Sequence, residues 1–215
     1  MSIAVVVFPG TNCEHDVVAA IRMLGGEAEL VWHRDSDLAG ADAVVLPGGF
    51  AHGDALRTGA IARFSPVMAE VARMANSGAP VLGICNGFQI LCEAGLIEGA
   101  LIANRDLAFI CRMVEVEVVD TDCVLTRAAQ PGQRLRIPLN SYEGNWVSPL
   151  GKGRVVIRYV DDPNGSTDRA ATVANPVGNV VGVMPHPERA TEELLGSADG
   201  RILLEGFLAS VPTHV

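Results

Sequence analysis

The sequence predicts a single α/β domain over residues 1–215, with a mostly parallel central sheet flanked by helices and further antiparallel strands in its second half. Three observations carry this. In the first half, short β-branched runs alternate with stretches of helical spacing. Those runs are apolar throughout, as in strands covered on both faces. In the second half, RMVEVEVV and RVVIRYV alternate apolar with polar residues, the pattern of half-exposed antiparallel strands.

Each element has a local reason. Residues 3–8 form a β-branched run that stops at Pro9-Gly10. Val17, Val18, Ile21 and Leu24 give residues 13–24 helical spacing, ending at Gly25-Gly26. Residues 27–33 alternate and read as a strand. Residues 43–46 form a buried strand before Pro47-Gly48-Gly49. Residues 58–76 read as a helix interrupted near Ser65-Pro66. Residues 81–84 form a further buried strand, and a helix starts at Asn86. After the strands over 112–119 and 154–160, residues 175–179 turn into a last apolar strand over 180–184. Residues 200–208 close as a helix, with Ser197 or Asp199 as N-cap.

Composition narrows the function classes. Apolar residues make up 49%, enough for a sizeable core. The net charge of −9 argues against nucleic acid as a partner, which calls for a basic face. No apolar run approaches the roughly 20 residues of a membrane helix. The five cysteines, Cys13, Cys85, Cys92, Cys111 and Cys123, form no CxxC pair. They read as reduced thiols of a cytoplasmic protein, with neither a disulfide frame nor a metal site.

One cysteine stands apart. Gly83-Ile84-Cys85-Asn86-Gly87 lies at a strand-to-helix junction, in the manner of a Gly-x-Ser-x-Gly nucleophile elbow. Such a turn crowds the positions two residues either side, and glycine relieves the crowding. It also presents the side chain beyond the carboxyl ends of the strands, where open α/β sheets bind ligands, beside a helix N-terminus that favours a thiolate. Alone, the motif leaves two readings open: a nucleophile, or a small buried hydrophobe.

A base decides between them. Of the five histidines, His214 is at the tail, His15 and His33 lie among ordinary helix and strand residues, and His52 has no assigned role. His186 sits in Met184-Pro185-His186-Pro187-Glu188-Arg189, directly after the last apolar strand. The flanking prolines predict a rigid, extended segment in which His186 and Glu188 point the same way. Glu188 would then orient the imidazole. Cys85 and His186 each follow a strand, so parallel pairing brings them to one sheet edge. Leu46-Pro47-Gly48-Gly49-Phe50 supplies glycines after another strand. The N–H groups of Gly49 and Asn86 are the candidate oxyanion hole.

Together these motifs resemble the class I, or triad, glutamine amidotransferases: Pro-Gly-Gly at 47–49, then Gly83, Cys85, Gly87 and Gln89, then His186-Pro187-Glu188. FPGTNCEHD, PGGFAHGDALRTGAIARF, CNGFQIL, FICR and MPHPERATEELLGSADG extend the likeness over residues 2–207 and point to the small glutaminase subunits of purine biosynthesis. The resemblance implies a flavodoxin-like sheet and a glutaminase with Cys85 as nucleophile, His186 as acid and base, and Glu188 as orienter. It implies that Gly48, Phe50 and Gln89 hold L-glutamine. It implies no cofactor on this chain. Ammonia would pass to a large synthetase subunit that uses ATP and magnesium, bridged by a small third subunit. One segment departs: Ser141-Tyr142 replaces the usual His-Gly pair before Glu143-Gly144. Two rival readings remain, a related cysteine hydrolase or peptidase and a non-catalytic regulatory subunit. The intact triad weighs against the second.

Overall fold

The computed structural model describes residues 1–148, 151 and 153–212; His214 lies outside them. The first half forms β1 (Ser2–Val7), α1 (Glu14–Met23), β2 (Glu27–Trp32), β3 (Ala43–Leu46), α2 (Val67–Asn76), β4 (Val81–Ile84) and α3 (Asn86–Glu93). The second half adds β5 (Ala100–Ile102), β6 (Ile110–Val118), β7 (Arg134–Ser141), β8 (Asn145–Val147), β9 (Arg154–Tyr159), β10 (Ala170–Ala174), β11 (Val180–Val183) and α4 (Gly200–Leu208).

Nine strands form one sheet in the order β2-β1-β3-β4-β11-β10-β9-β6-β7. From β2 to β11 the pairing is parallel; from β11 to β7 it is antiparallel. β5 and β8 make a separate antiparallel pair. The apolar runs of β3 and β4 are buried at every position, as a doubly covered sheet requires. β2 is the parallel edge, and there Glu27, Glu29, Leu30 and Trp32 face out. α1 packs on β1 and β2 and meets α4, while α3 packs on β3, β4 and β11.

Gly25 and Gly26 stop α1 as the sequence predicts. Gly25 has φ +84°; its N–H donates to Arg22 O at 3.0 Å, and the Gly26 N–H donates to Ile21 O at 2.9 Å. That is a Schellman end.

Four expectations change. Residues 58–61 are turns rather than helix, followed by a single 3₁₀ turn over Ala62–Phe64. Gly59, at φ +77°, lies against the α3 backbone at Gln89 and Ile90, so no helix can run through it. Asp199 stands before α4, but its carboxylate accepts from the Arg136 N–H at 2.7 Å instead of capping the helix. The segment after His186 is not extended: Pro187–Arg189 form a 3₁₀ turn. Finally, β5, β7, β8 and β10 are strands without a separate strand prediction. β7 carries Pro138 mid-strand, which an edge strand tolerates, and β10 is AATVA, short and alanine-rich.

Candidate active site

Cys85 sits between the end of β4 and the first turn of α3 with φ +50° and ψ −102°. A non-glycine residue in that region costs about 1–3 kcal/mol, so its surroundings must hold it there. The Cys85 N–H donates to Val183 O at 2.8 Å, and the Gln89 N–H donates to Cys85 O at 3.2 Å. Phe88, Ile90 and Leu91 anchor the helix in the core. The flanking glycines are steric necessities. A Cβ on Gly87 would collide with the carbonyl of Leu46, and one on Gly83 would lie 2.6 Å from the Gly87 carbonyl.

β11 pairs in parallel with β4, placing Val183 opposite Ile84. Their carboxyl ends therefore open at one sheet edge, and His186 arrives beside Cys85. The His186 N–H donates to Pro138 O at 2.8 Å, which ties the segment to β7. His186 Nδ1 lies 2.7 Å from Glu188 Oε1, and both residues are buried. The 3₁₀ turn brings the carboxylate to the ring, as the extended prediction also required. Nε2 accepts or donates no hydrogen bond that meets ordinary geometry among the described residues. Burial opposes charge on the ring, but the Glu188 carboxylate and the neighbouring Cys85 and Cys13 thiols outweigh it and hold its pKa well above 6.5. The imidazole is thus built to carry a proton beside the thiol.

These groups open into a cleft of about 480 Å³, within the usual range for small-molecule sites. Cys85, Gly49, Phe50, Gln89 and His186 line it. No hydrogen bond occupies the N–H of Gly49 or Asn86 among the described residues. Both donors are free to meet an anion, and the Asn86 N–H directly follows Cys85. Gly48 does not line the cleft. A Cβ there would stand 2.9 Å from His186 Cε1 and 3.0 Å from Cys13 Sγ, so Gly48 makes room for the His186 ring and the Cys13 thiol. Gln89 reaches the cleft with its amide committed: Oε1 accepts from Asn86 Nδ2 at 2.8 Å, and Nε2 donates to Glu143 O at 2.6 Å.

Several lining residues had no predicted role. Cys13 is buried with its thiol beside His186, and the Arg189 guanidinium donates to its sulfur at 3.3 Å. Asn140 accepts from the Cys85 thiol at 3.4 Å through its carbonyl. Asp54, Thr58, Phe109, Tyr142, Glu143 and Arg189 complete much of the wall. In the sequence, Asp54, Thr58, Phe109 and Arg189 are marked only by the extended family strings, and Tyr142 and Glu143 by the segment where Ser141-Tyr142 replaces the usual His-Gly pair. The cysteines all remain free thiols, Cys111 alone being exposed.

Comparison with known proteins gives the same picture. Residues 1–201 match the CobB/CobQ-like glutamine amidotransferase domain. The phosphoribosylformylglycinamidine synthase subunit PurQ of Rubrobacter xylanophilus is 50% identical over 97% of this chain and 98% of its own. The PurQ subunit of Nocardia farcinica is 51% identical over 99% and 97%. A chain in the structure of PurLQS from Thermotoga maritima superposes with a TM-score of 0.93 at 43% identity, covering 97% of both chains. The protein therefore belongs to the CobB/CobQ-like glutamine amidotransferases and, within them, to the PurQ subunits of phosphoribosylformylglycinamidine synthase.

Proposed function

We propose that this chain hydrolyses L-glutamine to glutamate and ammonia through a Cys85-His186-Glu188 triad. The observation that carries the reading is the strained Cys85 elbow set beside the buried His186–Glu188 pair on adjacent parallel strands. The Cys85 thiolate attacks the side-chain amide carbon, forming a C–S bond. The oxygen takes the negative charge, facing the Gly49 and Asn86 N–H groups. Protonated His186 then gives its proton to the departing nitrogen, releasing ammonia and leaving a γ-glutamyl thioester. Neutral His186 next takes a proton from water, whose oxygen attacks the thioester. The C–S bond breaks, glutamate leaves, and the thiolate–imidazolium pair is restored. Glu188 holds the ring in one orientation and supports its charge throughout.

The ammonia is consumed by a large synthetase subunit, with ATP and magnesium bound there, which converts formylglycinamide ribonucleotide to formylglycinamidine ribonucleotide. A small third subunit bridges the two, and the assembly works in the cytoplasm. Around the cleft, Phe50 and Phe109 are 51% and 63% exposed. An apolar rim at a catalytic mouth suits a subunit interface. No helix of the described residues is long and apolar enough to cross a membrane.

The test is glutamate release by wild type and Cys85→Ala, each alone and with the synthetase subunit. Wild type is expected to be weakly active alone and strongly active in the complex, because docking closes the cleft. Equal glutamate release by the two proteins in the complex would refute the reading.

A further inference from the structure

Two carboxylates share the cleft with Cys85, and neither forms an ion pair among the described residues. Asp54 comes from the loop after β3 and Glu143 from the turn after β7. Asp54 Oδ1 is buried and has no hydrogen-bond partner. Glu143 is pinned from two sides: Thr58 Oγ1 donates to its Oε2 at 2.8 Å, and Gln89 Nε2 donates to its backbone carbonyl. The nearby cations are engaged elsewhere. Arg57 forms a two-pronged pair with Glu93 at 2.6 Å, and Arg189 pairs with Asp16 at 3.0 Å. Asp54 stands at φ +53° in a run of left-handed residues that includes His52, Gly53 and Leu56. Such strain persists where a side chain must be aimed.

Like charges held together without a counter-ion are unfavourable, and the usual remedy is a cation or a proton. Burial first, and then the charge of Glu143, push the Asp54 carboxyl up to about 6. The cleft independently calls for a ligand, since His186 is 2% exposed and its unpartnered Nε2 belongs to the same cavity wall.

We propose that Asp54 and Glu143 form the subsite for the α-ammonium of the amino-acid substrate. Charge-assisted hydrogen bonds from the ammonium to both carboxylates anchor it, while its side-chain amide reaches Cys85. The pair separates glutamine from other primary amides that would fit the elbow. A buried charge pair left without its partner also disfavours any amide lacking the ammonium. Gln89, with its amide already spent, acts as a positioning residue for Glu143.

The inference rests on the glutaminase reading, and one experiment tells the two apart. The full chain in complex with its synthetase subunit is assayed for ammonia release from L-glutamine and from 4-carbamoylbutanoate, which is glutamine without its α-amino group. The variants are Asp54→Asn and Glu143→Gln. Both are isosteric, and asparagine tolerates the left-handed backbone at 54. Each variant is expected to raise KM for L-glutamine about tenfold or more, with kcat within about threefold. Each should leave kcat/KM for 4-carbamoylbutanoate unchanged or improved. An equal loss on both substrates, or an unmoved KM for L-glutamine, overturns the subsite and leaves the glutaminase reading standing. Wild type that releases ammonia from neither compound overturns both.

Discussion

The two halves of the sheet serve the site differently. The parallel half, β2 through β11, carries the proposed reacting groups at strand ends: Cys85 after β4, His186 after β11 and the Gly49 N–H after β3. The antiparallel half supplies a wall. Asn140, Ser141, Tyr142 and Glu143 close the cleft from the end of β7, and Pro138 O holds the His186 backbone. Parallel strands place their carboxyl ends on one edge, which suits chemistry that must converge. The wall depends instead on side-chain hydrogen bonds. Buried Asn104 gathers its turn, donating to Ser141 O and Ala108 O and accepting from the Gly144 N–H. Asn164 donates to Gly144 O at 2.7 Å. Damage to Cys85 or to the His186–Glu188 pair should therefore abolish turnover, and damage to the antiparallel wall should weaken substrate binding.

Four measurements break or sharpen that contrast. Cys85→Ala in the synthetase complex should lower kcat on the order of 10⁴–10⁶-fold with a thermal midpoint close to wild type. A residual rate above 1% of wild type would take the nucleophile's role from Cys85. Glu188→Gln should fold yet lose on the order of 10³-fold in kcat, with KM little changed; full activity would remove Glu188 from the triad. Asn104→Ala strikes the wall. Denaturant unfolding should show a loss of about 1–3 kcal/mol, because several buried backbone groups lose their partner. KM for L-glutamine should rise more than kcat falls, and the reverse split would erase the distinction between the halves.

The smallest effect is in pH. The folded pKa of Asp54, raised to about 6, exceeds its unfolded value near 3.8. Between those values the folded state binds the proton more tightly. Relative to Asp54→Asn, stability gains from this group as pH falls through about 6 and loses that gain as pH rises. Binding moves the other way, since protonation removes the charge that meets the ammonium. Glu143, His186 and Arg189 share the cleft, so the comparison with Asp54→Asn isolates this group. Binding and stability curves that shift in the same direction would contradict the assignment.

The proposed reacting groups are legible in the sequence because each is marked locally. Glycines two residues either side of Cys85 signal an elbow. Prolines around His186 signal a fixed segment, although its local form turned out to be a 3₁₀ turn. Gly48 has a steric duty that its local sequence does not mark: it leaves the gap that the His186 ring and the Cys13 thiol fill. The place of Cys13 at the cleft is not marked in the sequence, for a different reason. Its partners, His186 and Arg189, are more than 170 residues away in the chain, and no spacing rule connects them.

The sequence by itself determined the strand-helix alternation, the elbow at Cys85 and the fixed segment around His186, because apolar period, glycine geometry and proline geometry act over a few residues. Only the tertiary structure decided which groups surround them. The neighbours of Cys85 come from β7, β11 and the loop after β3, brought together by sheet order, and the opposition of Asp54 and Glu143 exists only once both halves of the sheet have closed.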